Sequence, residues 1–97
     1  MGLKAIIANS KDNVATAISN IVKKEKVSMN LEDDIVEIVS NQDIPFGHKM
    51  SLKDIKKGDD VIKYGEVIGM ATQDINRGDY VHIHNVESKR GRGDLTK

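Results

Sequence analysis

His82 and His84 stand two residues apart in Val81-His82-Ile83-His84-Asn85. On an extended segment that spacing puts both imidazoles on one face beside Tyr80, with Val81 and Ile83 on the other. Their Cα atoms would then lie about 7 Å apart, close enough for both rings to converge on one ion or one anion. Histidine is also the commonest metal ligand, which makes His82 and His84 a candidate metal pair. The competing reading is a solvated face of an amphipathic strand. His48, in Pro45-Phe46-Gly47-His48-Lys49, is either a third member of the site or a polar loop residue; Gly47 allows the bend that would present it. Lys49 and Lys63 are candidates to hold a substrate carboxylate, against a reading as solvated cations. Lys63-Tyr64-Gly65 joins a lysine, a phenol and a bend, and Tyr64 also suits a core position with its hydroxyl at the rim.

These residues must be carried by short strands and turns. Asp54-Ile55-Lys56-Lys57-Gly58-Asp59-Asp60-Val61 is echoed by Asp74-Ile75-Asn76-Arg77-Gly78-Asp79-Tyr80-Val81. The shared pattern D-I-x-[K/R]-G-D-x-V reads as a glycine turn that launches a strand. Glu66 to Thr72 forms a strand between the copies, with Gly65 and Gly69 marking bends or close backbone approach. Leu3–Ala8, Val27–Leu31, Ile35–Val39 and Met50–Leu52 read as extended, while Pro45 marks an edge or loop. One helix is predicted: Val14, Ala17, Ile18, Ile21 and Val22 fall at helical spacing, Asp12 is placed as its N-cap, and Lys23-Lys24-Glu25-Lys26 closes it. Asp12-Asn13 would also offer a helix N-terminus to an anion. The expected fold class is mainly β with one short helix, on the order of seven or eight short strands in all.

Bulk composition limits the function. The 97 residues make one domain, long enough to bury roughly two-thirds of its unfolded surface. The domain is placed at residues 1–87 and a flexible Gly- and charge-rich tail at 88–97. With one Phe, two Tyr and no Trp, the core must be aliphatic. Fifteen basic and fifteen acidic side chains cancel, which argues against a general nucleic-acid binder; Arg90-Gly91-Arg92-Gly93 lacks interleaved aromatics. The absence of cysteine excludes disulfides and thiolate metal sites. The apolar run at the N-terminus is too short for a signal peptide or membrane span, so the expectation is a cytoplasmic protein without membrane contact. No P-loop, dinucleotide fingerprint, H-E-x-x-H or nucleophile elbow is present.

Taken in order, Asp12-Asn13-Val14-Ala15, Ile44-Pro45-Phe46-Gly47-His48-Lys49, Asp54-Ile55 with Gly58-Asp59, Ile62-Lys63-Tyr64-Gly65, Ile68-Gly69, Ala71-Thr72, Ile75 with Gly78-Asp79, and Val81-His82-Ile83-His84-Asn85 resemble the SAF domain of the altronate/galactarate dehydratase family. They also resemble the stand-alone small subunit some members use, including the sulfolactate sulfo-lyase alpha subunit. The resemblance runs from about residue 3 to 86. It implies a β-clip fold and a hydro-lyase acting on sugar acids, with sulfite as the leaving group in the sulfo-lyase branch. It further implies a divalent metal (Fe2+, or Mn2+ or Mg2+) in the assembled enzyme and a large dehydratase subunit carrying most of the catalytic apparatus. Dehydration beside a carboxylate needs a base, an acid and a cation for the developing charge. On that footing His48, His82 and His84 are the candidate catalytic residues. Asn13, Lys49, Lys63 and Asn85 are the candidate substrate contacts. SAF domains also serve as binding modules without catalysis, so a free-standing domain that holds a small acid or saccharide is the alternative.

Overall fold

A computed structural model describes residues 3–88. It contains nine strands among those residues: β1 Ala5–Ile6, β2 Val14–Ala17, β3 Lys26–Leu31, β4 Asp34–Val39, β5 Lys49–Ser51, β6 Asp60–Lys63, β7 Glu66–Ala71, β8 Tyr80–Val81 and β9 Val86–Ser88. All pairings are antiparallel, in sheets ordered β1-β2-β5-β8, β3-β4 and β6-β7-β9. The fold is mainly β and compatible with a β-clip. No helix among the described residues is long and apolar enough to cross a membrane. Strand β9 runs through Ser88, one residue past the expected domain edge; the rest of the expected tail, with Arg90-Gly91-Arg92-Gly93, lies outside the described residues.

The expected helix is a correction: the described residues contain none. Val14–Ala17 is instead the strand β2, paired with β1 on one side and β5 on the other. Val14 packs into one core cluster with Ile55, Val61 and Val81, while Ala15 faces the other with Ile21, Met29 and Met50. A strand buried on both faces loses its alternation, and its apolar run can then fall on helical spacing by chance. Asp12 caps no helix. Its carboxylate accepts the backbone N–H groups of Asn9, Tyr64 and Gly65 at 3.0, 3.1 and 2.8 Å. Tyr64 and Gly65 form the two-residue loop between β6 and β7, both at positive φ (58° and 73°), the conformation that twisted hairpins favour. Asp12 thereby holds Tyr64 in a backbone region that non-glycine residues seldom enter, and the Tyr64 ring stands 68% exposed rather than in the core.

The twofold repeat in the sequence is fourfold in the structure. Ala17–Glu25, Ser40–His48, Ser51–Asp59 and Ala71–Asp79 each begin with a buried small residue and place Asn or Asp fourth and a buried Ile fifth. The eighth residue of each has positive φ: Lys24 (75°), Gly47 (86°), Gly58 (92°) and Gly78 (91°). The first two copies clasp each other, as do the last two. Ile21 and Ile44 exchange backbone bonds at 2.9 and 2.8 Å, and Ile55 and Ile75 do so at 2.7 Å in both directions. Asn20 and Asp43 each accept a backbone N–H from the opposite turn, of Phe46 and Lys23. Asp54 and Asp74 likewise accept from Arg77 and Lys57. Each eighth residue then donates its N–H to the small residue opening the partner copy: Lys24 to Ser40, Gly47 to Ala17, Gly58 to Ala71 and Gly78 to Ser51. Asn41 joins the two clasps through the carbonyl of Arg77 and the carboxylate of Asp79.

The glycines at these turns are not equivalent. A Cβ on Gly58 would meet nothing within 4 Å, whereas one on Gly78 would sit 2.4 Å from the carbonyl of Val39. Gly58→Ala is therefore expected to cost only the left-handed backbone strain, about 1–2 kcal/mol. Gly78→Ala adds a clash with backbone and is expected to cost on the order of 3 kcal/mol or more. Urea denaturation midpoints of the two variants check the order; equal losses would contradict it.

Candidate functional site

The pairing of β5 with β8 assembles the site. Lys49 lies opposite Val81 and Met50 opposite Tyr80, so one step outward His48 comes beside His82, with ring centroids 4.6 Å apart. The Tyr80 hydroxyl is 2.6 Å from Nδ1 of His48. Its ring lies 5.7 Å from that of His82, nearly parallel at 8°, and 5.4 Å from that of His84. The structure thus gathers His48, His82 and His84 around Tyr80. No role for Tyr80 was read from the sequence. Its position two residues before His82 was the available signal, but its contact with His48 depends on a strand pairing the sequence does not announce.

The histidines converge by a different route from strand alternation. Strand β8 ends at Val81, and residues 82–85 form a tight turn. Ile83 is 83% exposed at its tip. Buried Asn85 builds this turn: its Oδ1 accepts the backbone N–H of His82 at 2.9 Å and its Nδ2 donates to the carbonyl of Tyr80 at 2.8 Å. Each end of the amide bonds to backbone, which gives Asn85 a role in shaping the turn. Asn13 bonds to backbone in the same way. Its Nδ2 donates to the carbonyl of Asp60 and its Oδ1 accepts the N–H of Ile62, which ties β2 to β6.

Lys49 and Lys63 supply positive charge. Lys49 is half-buried, and its pKa is lowered first by that burial and then by the charge of Lys63. Lys63 reaches over the Tyr64 ring, 5.0 Å from its centroid. Among the described residues neither lysine forms an ion pair; the pair Lys4–Glu25, at 2.7 Å, involves neither of them. Lys49 and His82 line a cleft of about 240 Å³ together with Ile68, Val81, Ile83, Val86 and Ser88. A cation and an imidazole among aliphatic groups suit a small organic anion. As for the expected metal, no group of three or more His, Cys, Asp or Glu able to hold an ion occurs among the described residues. His82 and His84 by themselves fall short of the three or four protein ligands a tight transition-metal site needs, so these residues do not fit a metal centre of their own.

His82 has a lowered pKa, through partial burial first and then through repulsion from His48, Lys49 and His84. A histidine that binds its proton less readily folded than unfolded makes the unfolded chain the better proton acceptor. Its stabilising contribution is present above the ordinary imidazole pKa and is lost as pH falls through the depressed folded value. The wild type is expected to lose more thermal stability than His82→Gln on going from mildly alkaline to mildly acidic pH. Lys49→Met is expected to raise the His82 titration midpoint in NMR. An unmoved midpoint would contradict the charge coupling.

Comparison with known proteins places this geometry in a family. The altronate/galactarate dehydratase SAF domain matches residues 3–89. Altronate dehydratase of Bacillus subtilis (strain 168) is 40% identical over 85 residues, covering 82% of this chain and 15% of that protein. Altronate dehydratase of Escherichia coli (strain K12) is 40% identical over 86 residues, covering 89% of this chain and 17% of that protein. The (2R)-sulfolactate sulfo-lyase subunit alpha of Paracoccus pantotrophus is 49% identical over 53 residues, covering 55% of this chain and 79% of the subunit. The chain therefore spans less than a fifth of the dehydratases and most of the length of a sulfo-lyase alpha subunit. With nearly all of its described residues inside the match, the chain belongs to the altronate/galactarate dehydratase SAF domain family.

Proposed function

We propose that this chain is the small subunit of a two-part lyase acting on a sugar acid or a related sulfo-acid, and that a large dehydratase-type subunit completes its site. One observation carries the reading: His48, His82 and His84 gather around Tyr80, next to a partly desolvated Lys49 that has no ion pair among the described residues. A cluster of cations and imidazoles is costly while empty and is relieved by an anion. The relatives point the same way. This chain matches a small part of altronate dehydratases and most of a sulfo-lyase alpha subunit.

Elimination beside a carboxylate removes a proton from the adjacent carbon and expels a hydroxyl or sulfite from the next. In this reading Lys49, with Lys63 behind it, holds the substrate carboxylate and offsets the negative charge that grows as the proton leaves. The imidazoles supply proton transfer: a neutral ring accepts the carbon-bound proton, or a protonated ring donates to the departing hydroxyl. A lowered pKa keeps His82 neutral and able to act as base near neutral pH. A divalent metal such as Fe2+, Mn2+ or Mg2+ would supply Lewis acidity in the assembled enzyme, with most of its ligands from the large subunit. Exposed Phe46 (64%) and Ile83 (83%) stand next to the histidine-bearing segments, where a companion would cover them.

The isolated chain is expected to show no turnover. Mixed with the large dehydratase-like subunit of the same organism, it is expected to support formation of 2-keto-3-deoxy acid from altronate or galactarate, or sulfite release from sulfolactate. His48→Gln and His82→Gln are each expected to lower kcat by about a hundredfold or more, and Lys49→Met to raise KM chiefly. No gain on mixing across all three acids would refute the subunit reading. Thermal stabilisation of the lone chain by a sugar acid without that gain would favour a free-standing binding module instead. Binding of a dianionic acid is also expected to raise the His82 midpoint, since the anion offsets the repulsion from Lys49 and His48.

A further inference from the structure

Comparison of the four turns isolates the one that breaks their common pattern. In three copies the ninth residue is an acid whose side chain accepts the backbone N–H of the sixth. Glu25 accepts from Val22 at 3.0 Å, Asp59 from Lys56 at 3.3 Å and Asp79 from Asn76 at 2.8 Å. In the second copy the sixth residue is Pro45 and the ninth is His48. Proline has no N–H to cap, so the ninth side chain is released from that duty. The turn still closes, since the His48 N–H donates to the Pro45 carbonyl at 3.0 Å and Gly47 donates to Ala17 at 2.8 Å. The freed side chain extends across the strand pair, where Nδ1 meets the Tyr80 hydroxyl.

We propose that Pro45 and Tyr80 are positioning residues for His48: Pro45 removes the donor that would hold the ninth side chain against its own turn, and Tyr80 donates its hydroxyl hydrogen to Nδ1, so that the neutral ring presents Nε2–H as a hydrogen-bond donor. The inference rests on His48 as a member of the proposed lyase site, where a neutral ring can donate Nε2–H to a substrate or leaving-group oxygen. It adds how an imidazole comes to occupy a position that the fold otherwise gives to a structural carboxylate. Ring contacts alone would leave the tautomer open; a phenol hydroxyl donating to Nδ1 requires the neutral ring to carry its hydrogen on Nε2. Tyr80 is itself held from behind, because its backbone N–H donates to Gln42 at 2.8 Å and its carbonyl accepts from Asn85.

Two measurements on the full chain test the inference without any turnover. Long-range 1H–15N spectra, taken well above the ordinary imidazole pKa, are expected to show His48 protonated only at Nε2, and Tyr80→Phe is expected to give a mixture of tautomers. A neutral His48 protonated at Nδ1, or a signature that Tyr80→Phe leaves unchanged, overturns the role of Tyr80. For Pro45 the test is a double-mutant cycle in melting temperature. His48→Asp is expected to gain nothing beside Pro45. In a Pro45→Ala background it is expected to raise the midpoint by a few degrees relative to Pro45→Ala alone, because the new N–H then has the carboxylate cap found in the other copies. Loss of the Tyr80 contact is common to both arms and cancels, so an absence of coupling overturns the role of Pro45. A third arm measures Tyr80→Phe in the mixed enzyme, where kcat is expected to fall with KM little changed. Spectra as expected with no turnover of any acid would refute the lyase reading and leave the positioning intact.

Discussion

The whole structure depends on turns that cannot satisfy themselves. At each of the four, several backbone groups of the bend find their partners in the opposite copy. The Asn or Asp fourth in one copy accepts an N–H of the other, and the residue at positive φ donates to the other's small residue. Each member of a clasp thus supplies hydrogen-bond partners that the other turn lacks within itself. The small residues that receive these turns, Ala17, Ser40, Ser51 and Ala71, are at most 1% exposed; their size sets how closely the chain can approach. Asn41 then fixes one clasp to the other. The strands β5 and β8 leave two of these turns, so the clasps determine where His48, Lys49 and Tyr80 stand.

The gathered histidines stand where this framework departs from its own rule. Three copies close with a carboxylate and carry at least one cationic residue at their tips, Val22-Lys23, Lys56-Lys57 and Asn76-Arg77 in their sixth and seventh places. The second copy has Pro45 and Phe46 there and closes with His48. The single change that removes a backbone donor also removes the reason for a carboxylate, and a histidine stands in its place while the turn keeps its backbone bonds. The fourth copy contributes in another way: its strand is only two residues long and gives way at once to the Asn85 turn that lifts His82 and His84 toward Tyr80.

The gathered groups repel one another. Burial and mutual repulsion lower the pKa of Lys49 and of His82, and Lys63 adds to the repulsion on Lys49 rather than relieving it. Such an arrangement destabilises the domain slightly and is favourable only when a negative ligand or a complementary surface arrives. The aliphatic wall of the adjoining cleft limits hydration on the other side and strengthens any charge pairing made there.

By itself the sequence determined the strand-rich class, the glycine turns at 58 and 78, the close approach at Gly69 and the family, because short-range conformational preference and motif order are local properties. It also singled out His48, Lys49, Lys63, His82 and His84. The other two copies of the turn were masked: Lys24 stands where the pattern has glycine, and Pro45 and His48 replace the residues that would have matched. The apparent helix at Val14–Val22 arose because β2 is buried on both faces, a fact fixed by two core clusters from distant parts of the chain. Only the tertiary structure decided that Asn13 and Asn85 spend their amides on backbone, that Tyr80 joins the histidines, and that His82 and His84 converge through a turn. Each of these depends on which strand lies beside which, and that follows from long-range pairing that no local pattern encodes.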